Sequence, residues 1–299
     1  MYKRTVKSLL STLLAVMVVF SLASCEASPV NPGKTENGSH SENPVKQSFS
    51  VSEYTLMRDD LKIYGKLYVP ENKEGKMPAV ILSHSANLNA DSLDSYAAGF
   101  AERGYIAYAF DFCGGSSKSR SDGASDDMTL FTEVLDLKAV ISAIYARDDV
   151  DRAEIYLFGT SQGGLVSALA AEESDDYIKG EILLYPAYNI PELVRKMSSL
   201  GNLASMMGSG YSKAFSETLM DFDAYDHIGA FTGKVLIIHG SKDFIVNSSY
   251  SEKAKTYYTD CTLNIIEGAG HGFNSENYSM GGDFDDEVWK AVDEYLACN

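Results

Sequence analysis

From about residue 79 to residue 297 the chain repeats one pattern: a short apolar run, a polar loop, then a stretch with apolar residues at helical spacing. An unbroken apolar run between turn residues reads as a strand buried on both faces, and such strands belong to parallel sheets covered by helices. The runs at 78–83, 106–110, 155–158, 181–185, 235–239 and 263–266 are predicted strands. Predicted helices cover 91–102, with Leu93, Tyr96, Ala97 and Phe100 on one face, and 128–146, with Leu130, Val134, Leu137, Ile141 and Ile144 in register. Further helices follow residue 164, start near Ser248 and run from 283 to 297. Ahead of these, alternation through Phe49, Val51, Leu61, Ile63, Leu67 and Val69 predicts two antiparallel strands, with Arg58-Asp59-Asp60 as the turn between them. The fold class is α/β: a mostly parallel eight-stranded sheet with helices on both faces.

One interval breaks the alternation. Residues 187–232 are rich in Met, Ser, Gly and Tyr, and they fall at the carboxyl end of a strand, where parallel sheets bind ligands. This reads as a cap insertion. Met197, Met206, Met207, Tyr211, Phe215, Met220 and Tyr225 are candidates to line an apolar pocket beneath it.

The first residues follow a different logic. Lys3, Arg4 and Lys7 precede an apolar stretch from Leu9 to Ala23 that is short for a membrane span, which predicts a secretory signal over 1–24. Residues 25–48 carry Pro29, Pro32 and Pro44 among small polar residues and are expected to form a flexible tether. Such a coil has an r.m.s. span of about 25–30 Å. The folded domain is expected over 49–299. The ending Leu22-Ala23-Ser24-Cys25 resembles the lipobox of bacterial lipoproteins. That resemblance implies a diacylglycerol thioether on Cys25, an extracytoplasmic location and a membrane held through the N-terminal lipid.

Composition narrows the function classes. A chain of 299 residues, 45% of them hydrophobic, can bury one large core, and a net charge of −17 argues against nucleic-acid binding, which needs a basic face. Beyond Cys25, Cys113, Cys261 and Cys298 remain; an odd number outside the cytoplasm implies no disulfide framework, although a Cys261–Cys298 bridge stays open. No histidine or cysteine pair has metal-ligand spacing, and Gly114-Gly115 lacks the Lys-Ser/Thr of a phosphate loop, so neither metal nor cofactor is expected.

The chemistry concentrates at Gly159-Thr160-Ser161-Gln162-Gly163. A strand turning directly into a helix forces Ser161 into a strained backbone and lifts its hydroxyl clear of the sheet, while Gly159 and Gly163 leave room for the turn. The N–H of Gln162 then sits at a helix N-terminus, where negative charge is favoured. Ala86, in the loop after the strand at 78–83, is placed to supply a second oxyanion donor. Asp243 follows the strand at 235–239 and suits the orientation of a histidine. Of the five histidines, His271 alone arrives after both Ser161 and Asp243, between glycines that let its loop reach across. His84, directly after a strand, suits loop-structuring hydrogen bonds better than base chemistry.

The strand–helix alternation and the order Ser161, Asp243, His271 resemble the α/β-hydrolase superfamily. Within it, the run 104–112, the helix stretch 132–138 and Gly159-Thr160-Ser161-Gln162-Gly163-Gly164 look like bacterial cinnamoyl/feruloyl esterases. The resemblance implies a serine esterase acting on hydroxycinnamoyl esters, small or carbohydrate-linked, with a cap over the aromatic acid. Two places depart from that family's common pattern: His84-Ser85 replaces His-Gly, and Gly159-Thr160-Ser161 replaces Gly-His-Ser. The elbow is also similar to that of acetyl-ester deacetylases and some serine peptidases. The rival from another class is a non-catalytic, tethered ligand-binding protein, which has no need of all three residues in this order.

Overall fold

The computed structural model describes residues 47–71, 74–199, 211–273 and 282–298. The expected signal over 1–24, Cys25, the tether up to residue 46, Met206 and Met207 lie outside the described residues. Gln47 N–H donates to Glu102 O, and Ser48 O accepts from Glu71.

Eight strands form one sheet in the order β1-β4-β6-β5-β7-β8-β9-β10. They are β1 (Phe49–Glu53), β4 (Gly65–Pro70), β5 (Met77–Ser83), β6 (Ile106–Phe110), β7 (Val150–Thr160), β8 (Gly180–Leu184), β9 (Lys234–Gly240) and β10 (Cys261–Ile266). From β6 to β10 all neighbours are parallel, while β1 and β4 pair antiparallel with each other and β4 with β6. A separate hairpin, β2 (Leu56–Arg58) and β3 (Leu61–Ile63), turns at Asp59, whose φ is 50°. The opening segment therefore holds four strands where alternation predicted two. Val51 is 51% exposed, so its place in the pattern does not mark a core face. Strand β7 also begins earlier than its apolar run: Val150 pairs with Met77, and a register shift follows before Ile155 pairs with Ala79, with none of Asp151 to Glu154 buried between them.

The chain runs from β5 outward to β6 and then crosses back to β7 on the other side of β5. This reversal opens a crevice at the carboxyl ends of β5 and β7, the place where open α/β sheets bind ligands. Alternate residues of each strand feed two cores. In β5, Ala79 and Ile81 pack with α2 (Leu130–Tyr145) and α3 (Gln162–Glu172), and Val80 and Leu82 with α1 (Asp94–Glu102) and the last helix, Asp285–Ala297. Helix α2 starts at a reciprocal cap between Thr129 and Thr132, which satisfies backbone donors that a helix start otherwise leaves bare. Between β8 and β9 the described part of the insertion contains α4 (Ile190–Ser199) and α5 (Lys213–Thr218). Helix α6 (Ser249–Lys255) follows β9, and Asp285–Ala297 is α7. Cys113, Cys261 and Cys298 are free thiols, so no Cys261–Cys298 bridge forms. Among the described residues no helix is long and apolar enough to cross a membrane.

One core residue carries a stability prediction. Glu181, in the middle of β8, is fully buried, and neither of its carboxyl oxygens has a hydrogen-bond partner among the described residues. Burial pushes its pKa up to about 8 from an ordinary value of 4.5. Between those two values the folded chain keeps a proton that the unfolded chain has lost, so stability falls as pH rises through the window and is full only below it. Replacing Glu181 by Met, similar in volume and without a charge to desolvate, is expected to stabilise the fold at pH 8 by about 1–3 kcal/mol. Denaturant melts at pH 5 and pH 8 check this: the gap between them should narrow in E181M. An unchanged gap, or a less stable variant at pH 8, sinks the assignment.

Candidate active site

Ser161 joins β7 to α3 with φ 50° and ψ −116°, a conformation that costs free energy in any residue but glycine. Four backbone bonds hold it there. Its N–H donates to Leu184 O at 3.0 Å, and its carbonyl accepts from Gly164, Leu165 and Ala187 at 3.0, 3.2 and 2.9 Å. The turn is tight enough that a Cβ on Gly159 would meet Gly163 O at 2.4 Å, and one on Gly163 would meet Ser83 O at 2.3 Å. The pattern of small residues around the serine therefore has a direct steric cause.

The structure brings the three expected side chains into one line. His271 Nε2 lies 3.1 Å from Ser161 Oγ, and His271 Nδ1 lies 2.7 Å from Asp243 Oδ2. The other carboxylate oxygen, Oδ1, accepts the N–H groups of Ile245 and Val246, both at 2.9 Å. Burial works to raise the Asp243 carboxyl, but hydrogen bonds from His239 and His271 outweigh it and hold the group well below the usual carboxylate range. Asp243 is thus an ion that only accepts, so His271 presents its Nδ1–H to it and turns the Nε2 lone pair toward the serine hydroxyl. The loop carrying His271 approaches β9 closely at Gly240, where a Cβ would come within 2.3 Å of Ala269 O. The His271 ring rests on Tyr185, ring centres 4.6 Å apart.

Ala86 lines the same cleft as Ser161 and His271. Gln162 opens α3, where first-turn N–H groups have no intrahelical acceptor. The Gln162 side chain has a second task that its backbone role did not suggest. Its Nε2 donates to Glu133 Oε2 of α2 at 2.7 Å, and its Oε1 accepts from Tyr211 of the insertion at 2.9 Å. Burial raises Glu133 to about 8, opposed by the Gln162 bond. The elbow is thereby tied both to the body of the fold and to the described end of the cap.

His84 behaves as a loop-former. Nδ1 lies 2.8 Å from Ser85 O, Nε2 accepts from Phe112 N–H at 3.3 Å, and burial lowers its pKa. Ser85 and Thr160, the two departures from the esterase pattern, turn out to be each other's partners: their hydroxyls lie 2.9 Å apart across adjacent strands. The pair follows from the register that sets Ser83 beside Gly159, and it ties the loop bearing Ala86 to the elbow.

The cleft has a volume of about 140 Å³. Ser85, Ala86, Ser161, Asn189 and His271 line it together with the mainly apolar Ala187, Ile190, Leu193, Tyr211, Ile245 and Val246. Of the described insertion residues expected to line it, Tyr211 does. Phe215 and Tyr225 are buried in packing, Met197 packs against the core and Met220 is exposed. Ile190 and Leu193, three apart on α4, were the readable signal that a count of methionines and tyrosines passed over. Among the described residues no group of histidine, cysteine or acidic side chains could hold a metal ion.

The fold is that of the α/β-hydrolases, and the chain is similar to serine hydrolases of that fold. A model of the family described as serine aminopeptidase, S33, matches residues 74–217. Among solved structures, Est1E from Butyrivibrio proteoclasticus, in a complex with ferulic acid, is 25% identical with a TM-score of 0.69; the match covers 82% of this chain and 98% of that one. DcsB, in complex with its substrate analogue, is 21% identical over 84% of this chain and all of its own, with a TM-score of 0.66. Acetyl xylan esterase 1 from a Thermoanaerobacterium species is 18% identical over 83% of this chain and 88% of its own, with a TM-score of 0.58. No curated protein matches the chain in sequence.

Proposed function

We propose that the protein is a carboxylic-ester hydrolase working through Ser161, His271 and Asp243. The observation that carries this is the unbroken line of hydrogen bonds from Ser161 Oγ through His271 to a carboxylate whose other oxygen is already saturated. His271 Nε2 takes the hydroxyl proton as Ser161 Oγ attacks the ester carbonyl, and the N–H groups of Ala86 and Gln162 hold the oxyanion. Imidazolium then gives its proton to the leaving alcohol, and water, activated by the same nitrogen, releases the acid and regenerates the serine. Asp243 stays ionised throughout and stabilises the imidazolium.

For the acyl group we propose a hydroxycinnamate such as ferulate. Support comes from the sequence resemblance, from the ferulic acid bound in Est1E, and from the mainly apolar lining, Tyr211 included, of the cleft that holds Ser161. A second reading, a short acyl group such as acetyl, is favoured by the cleft's 140 Å³, below the ~300–1,000 Å³ common for larger ligands. We further propose that lipid on Cys25 holds the enzyme on the outer side of a membrane, as its lipobox-like Leu22-Ala23-Ser24-Cys25 implies.

Turnover of methyl ferulate beside p-nitrophenyl acetate tests the acyl assignment. Comparable kcat/KM for the two supports the aromatic pocket. Cleavage of acetate alone moves the assignment to short acyl esters, and cleavage of neither ester but of an aminoacyl amide moves it to peptidase chemistry.

A further inference from the structure

Asp243 Oδ2 is shared by two imidazoles. Besides His271, His239 Nε2 lies 3.2 Å from the same oxygen. His239 is the penultimate residue of β9, fully buried and outside the cleft lining. Its Nε2 also lies 2.9 Å from Val246 O, and its Nδ1 lies 2.7 Å from Ser251 Oγ on α6. Both neighbours of Nε2 are oxygens that only accept, so that nitrogen must carry a hydrogen, which Val246 O and Asp243 Oδ2 share. Oδ1 of the carboxylate accepts two backbone N–H groups, and Oδ2 accepts from His271 at 2.7 Å with the His239 imidazole as a second, longer contact at 3.2 Å.

We propose that His239 is a positioning residue for the hydrolysis: its Nε2–H pins Asp243 Oδ2 where His271 needs it and occupies the lone pair that could otherwise draw the His271 proton across. This rests on the Ser161–His271–Asp243 reading above. Without the second imidazole, Oδ2 faces a dry interior with one donor, the carboxylate can swing about its side-chain axis, and its greater basicity favours imidazolium in the resting enzyme. Among the described residues the groups against this pair include His239 from β9, Tyr185 after β8 and Ser161 at the elbow, and the ion pairs of Asp243 are with the two histidines. Loss of His239 therefore lowers kcat through misorientation and moves the acidic limb of kcat/KM to higher pH. A residue that only packs would do neither once the fold is intact.

The test uses the full chain with p-nitrophenyl acetate and a fluorophosphonate label. His239→Phe, verified as folded by circular dichroism, should lose about 10- to 100-fold in kcat with little change in KM, and its acidic limb should rise. His239→Gln, which returns an amide N–H near the Nε2 position, should recover most of both. A folded H239F with wild-type kcat and an unmoved limb overturns the proposal, as does a change confined to KM. Should H239F fail to fold, Ser251→Ala takes its place, with the same direction and roughly a 2- to 10-fold loss expected; no change in S251A overturns the proposal. Wild-type protein that takes no label refutes the serine reading itself, before any variant is compared.

Discussion

Replacing Ser161 by Ala is expected to lower ester turnover by at least about 10³-fold while leaving the fold intact. The substitution removes one oxygen from an alcohol-bearing side chain at a position held by its backbone. The four hydrogen bonds at Ser161 N–H and carbonyl keep the positive φ whether the side chain is serine or alanine. Alanine meets the same steric penalty at that φ as serine, so thermal unfolding should move little. What disappears is the atom that attacks. His271 Nε2 then faces the cleft with no hydroxyl to deprotonate, and the residual rate reflects oxyanion binding and substrate positioning alone. Fluorophosphonate labelling should vanish with turnover. Full activity in a folded S161A protein ends the serine mechanism for this site.

Asp243→Asn should cost nearly as much, roughly 10³- to 10⁴-fold in kcat, and its reason lies in which atoms the carboxylate meets. Oδ1 accepts two backbone N–H groups, so an asparagine must keep its carbonyl oxygen there. Its NH₂ group then falls where Oδ2 lay, against two ring nitrogens that now donate. His271 escapes the clash by moving its proton to Nε2, which leaves no lone pair toward Ser161 Oγ and stops general-base action. Turnover in D243N should therefore recover as pH rises, when hydroxide can replace the lost base. The kcat–pH profile of the folded variant checks this. Loss of unfolding stability equal to the loss of rate, with no recovery at high pH, would make Asp243 a structural residue instead.

The three aligned residues were legible because each closes a local pattern. Ser161, Asp243 and His271 each lie within about five residues after an apolar strand run, at its carboxyl end. The network around them was not. His239 closes the apolar run at 235–239 and lies within β9, although its place four residues before Asp243 was a usable signal. Ser85 and Thr160 stand 75 residues apart, and Gln162 meets Glu133 across 29 and Tyr211 across 49. Each looked like a departure or a bystander until the strands were laid side by side. The short strands β2 and β3, three residues each, were hidden for another reason: a segment that brief holds too few positions to show a period.

The sequence by itself determined the α/β class, the strand–helix alternation from β5 onward and the candidacy of Ser161, Asp243 and His271, because apolar periodicity and turn chemistry are written in neighbouring residues. Only the tertiary structure decided that Asp243 answers to two histidines, that Ser85 pairs with Thr160 and that Ile190, Leu193 and Ile245 line the cleft. Those contacts join loops from different strands, and their distances are set by sheet register and by the crossover between β5 and β7, which no local spacing encodes.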